Sequence, residues 1–207
     1  MLLRINPDKP DENSIRKAAE VLRSGGIIIY PTDTVYGIGC DITQPKALEK
    51  LCRLKGIKLA EANFSIICHD LSHLSDFTRS ISTSVFRVLK KALPGPYTFI
   101  LEANNNVPKI FQSKKKTVGI RVPDNLIVQE IVKASGNPIV SSSLHDADDE
   151  MLDYYADPDL IYEKYNEKVD LVINGGYGNI QASTVIDVSK GEFEVVREGL
   201  GSVEHLW

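Results

Sequence analysis

Six places along this chain carry side chains able to hold a small charged molecule. Thr34 follows the apolar run 27–29 in "IIIYPTDTVYGIG", Lys55 closes a helical pattern, and Arg121 stands in "GIRVP"; Ser141, Ser142 and Ser143 end "PIVSSS", Ser183 opens "STVIDV", and Arg197 lies in "VVREG". Guanidinium and ammonium groups neutralise carboxylate and phosphate, and hydroxyls add oriented hydrogen bonds. No acid and base pair shows a telling spacing. The set therefore suits binding a zwitterionic or phosphorylated small molecule better than shuttling a proton. A Walker A loop and a GxGxxG turn are both missing, and "GGYG" at 175–178 reads as a glycine turn. Cys40, Cys52 and Cys68 are odd in number and form no CxxC pair, so they point to packed thiols rather than to a disulfide frame or a zinc site.

Strand ends of an α/β sheet are where such groups converge on a ligand. Residues 11–24 place Ile15, Ala18, Ala19 and Leu22 on one helical face, with Gly25 and Gly26 as the stop. A strand over 26–30 follows, then a second in "VYGIGCDI", then a helix over 45–54 with Pro45 at its first turn. Further strands are predicted in "FSIICH", "YTFILEA", "TVGIRV", "PIVSSS", "VDLVING", "STVIDV" and "FEVVRE", with helices near 83–92, 125–134 and 157–165. The short connection between the last two strands argues for a mixed sheet, and the fold class is α/β with helices layered on that sheet. The 207 residues hold no Pro/Gly/Ser-rich linker, so one domain over 1–207 is expected.

Composition narrows the setting. No apolar run approaches the roughly 20 residues that span a bilayer, so no membrane partner is expected. Asp8, Lys9 and Pro10 arrive before any long apolar segment, which is unlike a signal peptide, and the expected location is cytoplasmic. The net charge is −4, unevenly spread: residues 46–121 carry fourteen Lys and Arg against five Asp and Glu, whereas 122–207 carry five against seventeen. A basic middle suits a phosphate-bearing partner, unless folding interleaves the blocks and cancels them. The acidic stretch 146–159 reads as a solvated insertion.

The stretches "GGIIIYPTDTVYGIGCD", "LPGPYTFIL", "TVGIRVPDN", "STVIDV" and "VVREG" together resemble the YrdC/YciO family, from about residue 14 to about residue 201. The resemblance implies a single YrdC-like domain, a twisted mixed sheet with a concave, positively charged face. It also implies an L-threonylcarbamoyladenylate synthase, a nucleotidyltransferase joining L-threonine, bicarbonate and ATP, with Mg2+ accompanying the ATP. Pyrophosphate would leave, and the product would feed threonylcarbamoyladenosine modification of tRNA. On that resemblance Thr34, His69, Arg121, Ser143 and Ser183 would bind substrate. Lys55, Lys58, Thr117, Ser141, Ser143 and Arg197 would bind nucleotide, Lys55 also being the catalytic cation. A plainer reading has Thr32 and Asp33 merely holding a turn and His69 as an ordinary strand histidine. The chain departs from the synthases at two motif positions, where Ile57 replaces the arginine of Lys-x-Arg and His145 the asparagine of Ser-x-Asn. Both changes resemble the YciO branch and imply weakened synthase activity. The alternative function is binding of double-stranded RNA or tRNA without synthesis, through Lys90, Lys91, Lys114, Lys115 and Lys116.

Overall fold

In the computed structural model, which describes residues 1–58, 64–107, 116–144 and 155–207, the periodic apolar stretches become helices with well-made ends. The Asp11 carboxylate accepts the Ser14 N–H at 2.9 Å and opens α1 (Glu12–Arg23). Helix α2 (Pro45–Leu54) starts on Pro45, whose missing N–H costs nothing in a first turn. Ser82 opens α3 (Thr83–Ala92), Asn125 opens α4 (Leu126–Ser135) and Asp157 opens α5 (Pro158–Tyr165), each by accepting a backbone N–H of the first turn. Gly136 ends α4 at φ +77°, a left-handed cap that glycine adopts without strain.

Ten strands form one sheet: β1 (Leu2–Arg4), β2 (Ile28–Tyr30), β3 (Gly37–Asp41), β4 (Ser65–Ile67), β5 (Tyr97–Glu102), β6 (Thr117–Arg121), β7 (Ile139–Ser143), β8 (Leu171–Asn174), β9 (Thr184–Asp187) and β10 (Glu194–Arg197). Their spatial order is β1-β8-β2-β3-β7-β4-β6-β5-β9-β10. Pairs β1/β8, β2/β8, β4/β6 and β5/β9 run parallel, and the others antiparallel, so the sheet is mixed. Nine of the strands match predicted runs. β1 was not predicted: it is three residues long and finds its register, Leu3 opposite Ile173, on a strand at the far end of the chain.

Alternation along the strands decides which side chains meet which helices. Ile38, Cys40, Ile66, Phe99, Val118, Ile120, Val140 and Ile186 face a layer made by α2, α3 and α5, where they pack with Leu48, Leu51, Val85, Leu89 and Ile161. On the reverse side Ile28, Tyr30, Ile67, Ile139 and Ile173 pack with Ala18 and Leu22 of α1 and with Ile127, Val128 and Ile131 of α4. Helices α1 and α4 lie against each other and cover only part of that side. The same alternation puts Ser141 and Ser143 on Ile139's side, Ser65 on Ile67's side, and Thr117, Gly119 and Arg121 opposite to Val118 and Ile120. A polar field thus continues the sheet face where the two helices stop.

The acidic stretch 146–159 is not wholly an insertion. Tyr155 is buried in the core beneath α5, and Asp157 is that helix's N-cap; residues 145–154 lie outside the described residues. Among the described residues no helix is long and apolar enough to cross a membrane.

Candidate functional site

The oxygens of "PTDTVYG" are spent largely on one another and on Arg121. Thr32 Oγ1 donates to the Val35 carbonyl at 2.8 Å and accepts the Thr34 N–H at 3.0 Å, fixing the turn that leaves β2. Asp33 Oδ2 accepts the Asp124 N–H at 3.0 Å, while Oδ1 accepts Arg121 Nη2 at 3.0 Å. The same Nη2 donates to Thr34 Oγ1 at 3.0 Å. Thr32 is therefore the turn holder that the plainer reading proposed. Asp33 does that and also anchors the arginine. Two longer ties fasten the loop to the segment after β8: Asn179 N–H donates to the Thr34 carbonyl at 3.2 Å, and the Tyr36 hydroxyl donates to the Gly176 carbonyl at 2.7 Å.

Arg121 is the centre of the arrangement. Its side chain is only 12% exposed and that of Asp33 only 9%. Burial pulls the guanidinium pKa down; Asp33 and then Tyr30 push it back up, and Arg197 lowers it again by its like charge. A guanidinium stays charged through such shifts. Its Nε is buried with no hydrogen-bond partner. A buried donor left unmade costs about 1–3 kcal/mol, and more on a charged group, so such an atom calls for an explanation. A ligand carboxylate supplies one, since the Nε–H is a charged donor not yet spent beside an Nη2 already given to Asp33 and Thr34.

Beside it, Ser183 is buried with its hydroxyl 2.8 Å from Thr98 Oγ1, and Arg197 donates from Nη2 to the Ser183 carbonyl at 2.8 Å and from Nε at 3.2 Å. Burial also lowers the pKa of Arg197. Lys55 caps the C-terminal end of α2 and donates from Nζ to the Ser143 carbonyl at 3.1 Å. Ser141 is bonded closely by the Tyr30 hydroxyl, whose ring passes over Gly37, where a Cβ would stand 2.9 Å from Cζ. Thr117 opens β6 on Arg121's side of the sheet. Thr34, Ser141, Ser143, Ser183, Arg121, Arg197, Lys55 and Thr117 are all carried by the half-covered side or by segments bonded to it. Tyr30, Asp33 and Thr98 complete it. Their signals were present in the sequence, as hydrogen-bonding side chains inside the quoted motifs.

Other expected site residues fall elsewhere. His69 is not joined to Thr34 or Arg121: its Nε2 lies 3.2 Å from Asp70, and the ring lines a different cavity with His73 and Phe77. Lys58 is exposed beyond α2, and Ile57 is half-buried against the core under that helix. Lys90 and Lys91 project from α3, on the helix layer behind the sheet, where Lys91 bonds the His205 carbonyl. Lys116 is exposed with φ +56°. Lys114, Lys115 and His145 lie outside the described residues. The three cysteines are buried free thiols, as their number suggested. No group of three or more metal-binding side chains stands together among the described residues.

A family model for the Sua5, YciO and YrdC proteins, described as telomere recombination, matches residues 20–199. The chain belongs to this family. It is 41% identical over 201 residues to the protein named uncharacterized protein YciO of Escherichia coli (strain K12), spanning 97% of this chain and 96% of that one. The solved structure of E. coli YciO matches with a TM-score of 0.90 at 40% identity, covering 99% of this chain and 98% of the other. Threonylcarbamoyl-AMP synthase of Mus musculus is 31% identical over 198 residues, which cover 90% of this chain and 67% of that one. P. abyssi Sua5, solved in complex with L-threonine, matches with a TM-score of 0.87 at 26% identity, covering 96% of this chain but 57% of the Sua5 chain.

Proposed function

We propose that the protein binds L-threonine and ATP on the polar part of the half-covered sheet face and, with bicarbonate, forms threonylcarbamoyl-AMP. The observation that carries this reading is the buried, unpartnered Nε of Arg121 beside Thr34. It offers a charged donor to an amino-acid carboxylate, and the family likeness to Sua5 bound to L-threonine supports the choice of amino acid. Thr34 and Ser183 supply hydroxyls to the amino acid. Arg197, Lys55, Thr117, Ser141 and Ser143 serve the nucleotide, with the two cations neutralising phosphate charge.

The chemistry asks for positioning rather than for covalent work by the protein. The threonine amine attacks bicarbonate and loses water to give a carbamate. A carbamate oxygen then attacks the α-phosphorus, and pyrophosphate leaves with the electron pair of the broken bond. Magnesium belongs to the triphosphate as substrate: the described residues present no carboxylate cluster for it, and Asp33 is committed to Arg121 and Asp124. With Ile57 packed on the core in place of a second phosphate-binding cation, turnover is slower than an intact Lys-x-Arg motif would give.

Calorimetry with L-threonine, and pyrophosphate release with ATP, bicarbonate and magnesium, test this reading. The unaltered protein binds threonine, and Arg121→Lys, which keeps the charge but not the fork, weakens binding at least tenfold, or about 1.4 kcal/mol. Absence of threonine heat in the unaltered protein, or equal affinity in Arg121→Lys, removes the proposal.

A further inference from the structure

We propose that a cavity whose lining does not include Arg121 binds a small amine with an apolar body. It measures about 440 Å³ and opens where β4 and α4 end, walled by Ile42, Phe77, Val132 and Pro138. That volume falls in the range of about 300–1,000 Å³ in which small-molecule sites lie, and a mostly apolar wall with a few convergent polar groups is their usual composition.

The polar groups select the sign of charge. His69 and His73 line the cavity with ring centroids 5.8 Å apart. Each imidazole sets one nitrogen against a carboxylate: His69 Nε2 is 3.2 Å from Asp70, and His73 Nδ1 is 3.0 Å from Asp76. In a neutral imidazole so held, the N–H points to the carboxylate and the remaining nitrogen is an acceptor. The C-terminal turn of α4 meets the cavity at Gly136, bringing the partial negative charge of a helix end. Lys133 is the cation on the rim, and it is mostly exposed and reaches Glu130 at 3.7 Å. The Asp76 carboxylate on the wall, the imidazoles paired to Asp70 and Asp76, and a helix C-terminus outweigh it. A ligand suited to these walls carries N–H donors and positive charge on an apolar or aromatic body, the reverse of what Arg121 and Arg197 favour.

Two probes with the same ring separate the charge argument from simple apolar filling: 2-phenylethylamine and phenylacetate. Titrated into the full-length, isotope-labelled chain and followed by NMR, the amine gives saturable shifts of the Ile42 and Val132 methyls and of the His69 and His73 rings at millimolar concentration. Phenylacetate binds at least tenfold more weakly. Asp76→Asn, an exposed change that leaves the core alone, weakens the amine at least threefold without altering the heat of threonine binding. No shifts with the amine overturn the proposal. Equal affinity for the two probes overturns it as well, as does an unchanged amine affinity in Asp76→Asn.

Discussion

Arg121 is held through Nη2 while its buried Nε stays unpaired, and Asp33 is what holds it. Removing one member of a buried ion pair leaves the other charge uncompensated, commonly at about 3–5 kcal/mol. Asp33→Ala is therefore expected to lower stability in urea by about 3 kcal/mol, and to weaken threonine binding because the fork is no longer oriented. The cysteines make the opposite kind of residue. Burial pushes the thiol pKa of both Cys40 and Cys68 up to about 12 from the ordinary value of 9.0. A folded-state pKa above the unfolded one means that the unfolded chain loses protons first, so the contribution is fully present below pH 9 and is lost as pH rises toward 12. Alkylation by a thiol reagent at neutral pH is expected to be slow in the native protein and fast in denaturant, which mass spectrometry reads directly. Arg121 and Thr34 could be picked out in the sequence because each sits in a long motif. His69 is harder to place from sequence, because alternation puts it on Arg121's side but two residues past Ile67, where β4 has already ended.

At the level of elements, the helices were legible nearly to the residue. Helices α2 and α3 occupy the spans 45–54 and 83–92 that their periodicity predicts, whereas α4 begins one residue later because Asn125 is its cap, not its first turn. Strand positions followed from apolar runs and turn residues, but β1 has too few residues for a pattern, and no local signal could reveal a partner in β8. Close packing between strands also set glycine positions that the sequence alone did not explain. A Cβ at Gly39 would lie 2.5 Å from both the Ile139 Cγ2 and the Val140 carbonyl oxygen across β7. Backbone atoms cannot yield as a side-chain tip can, so Gly39→Ala forces β3 from β7 at a cost of about 1–3 kcal/mol. The expected result is a lower urea midpoint together with weaker nucleotide binding, since Ser141 lies opposite Gly39.

For the molecule as a whole, the two sides of the sheet have different business. The groups proposed to hold ligand lie on the side that α1 and α4 half cover or are bonded to it, and α3 with Lys90 and Lys91 lies behind it. Lys90→Gln with Lys91→Gln is thus expected to leave threonine and ATP binding unchanged by calorimetry, while any duplex RNA affinity through those lysines would fall and lose salt dependence. The charge blocks read along the sequence meet in the fold. Arg4 pairs with Asp159 at 3.1 Å and Lys50 with Asp170 at 3.2 Å, so the acidic last third touches both earlier ones. Sheet order could not be read from sequence for the same reason: it depends on pairings between distant segments. One of these pairings governs when the site can exist at all. β2, from which the Thr34 loop departs, has β3 on one side and β8 on the other, and the loop itself is bonded to Gly176 and Asn179. On the ribosome a nascent chain that has not yet delivered β8 and the residues after it leaves β2 with a bare edge and the loop without its second wall. The site is completed only when synthesis is nearly over, and a truncated product carries most of the sheet but no competent pocket.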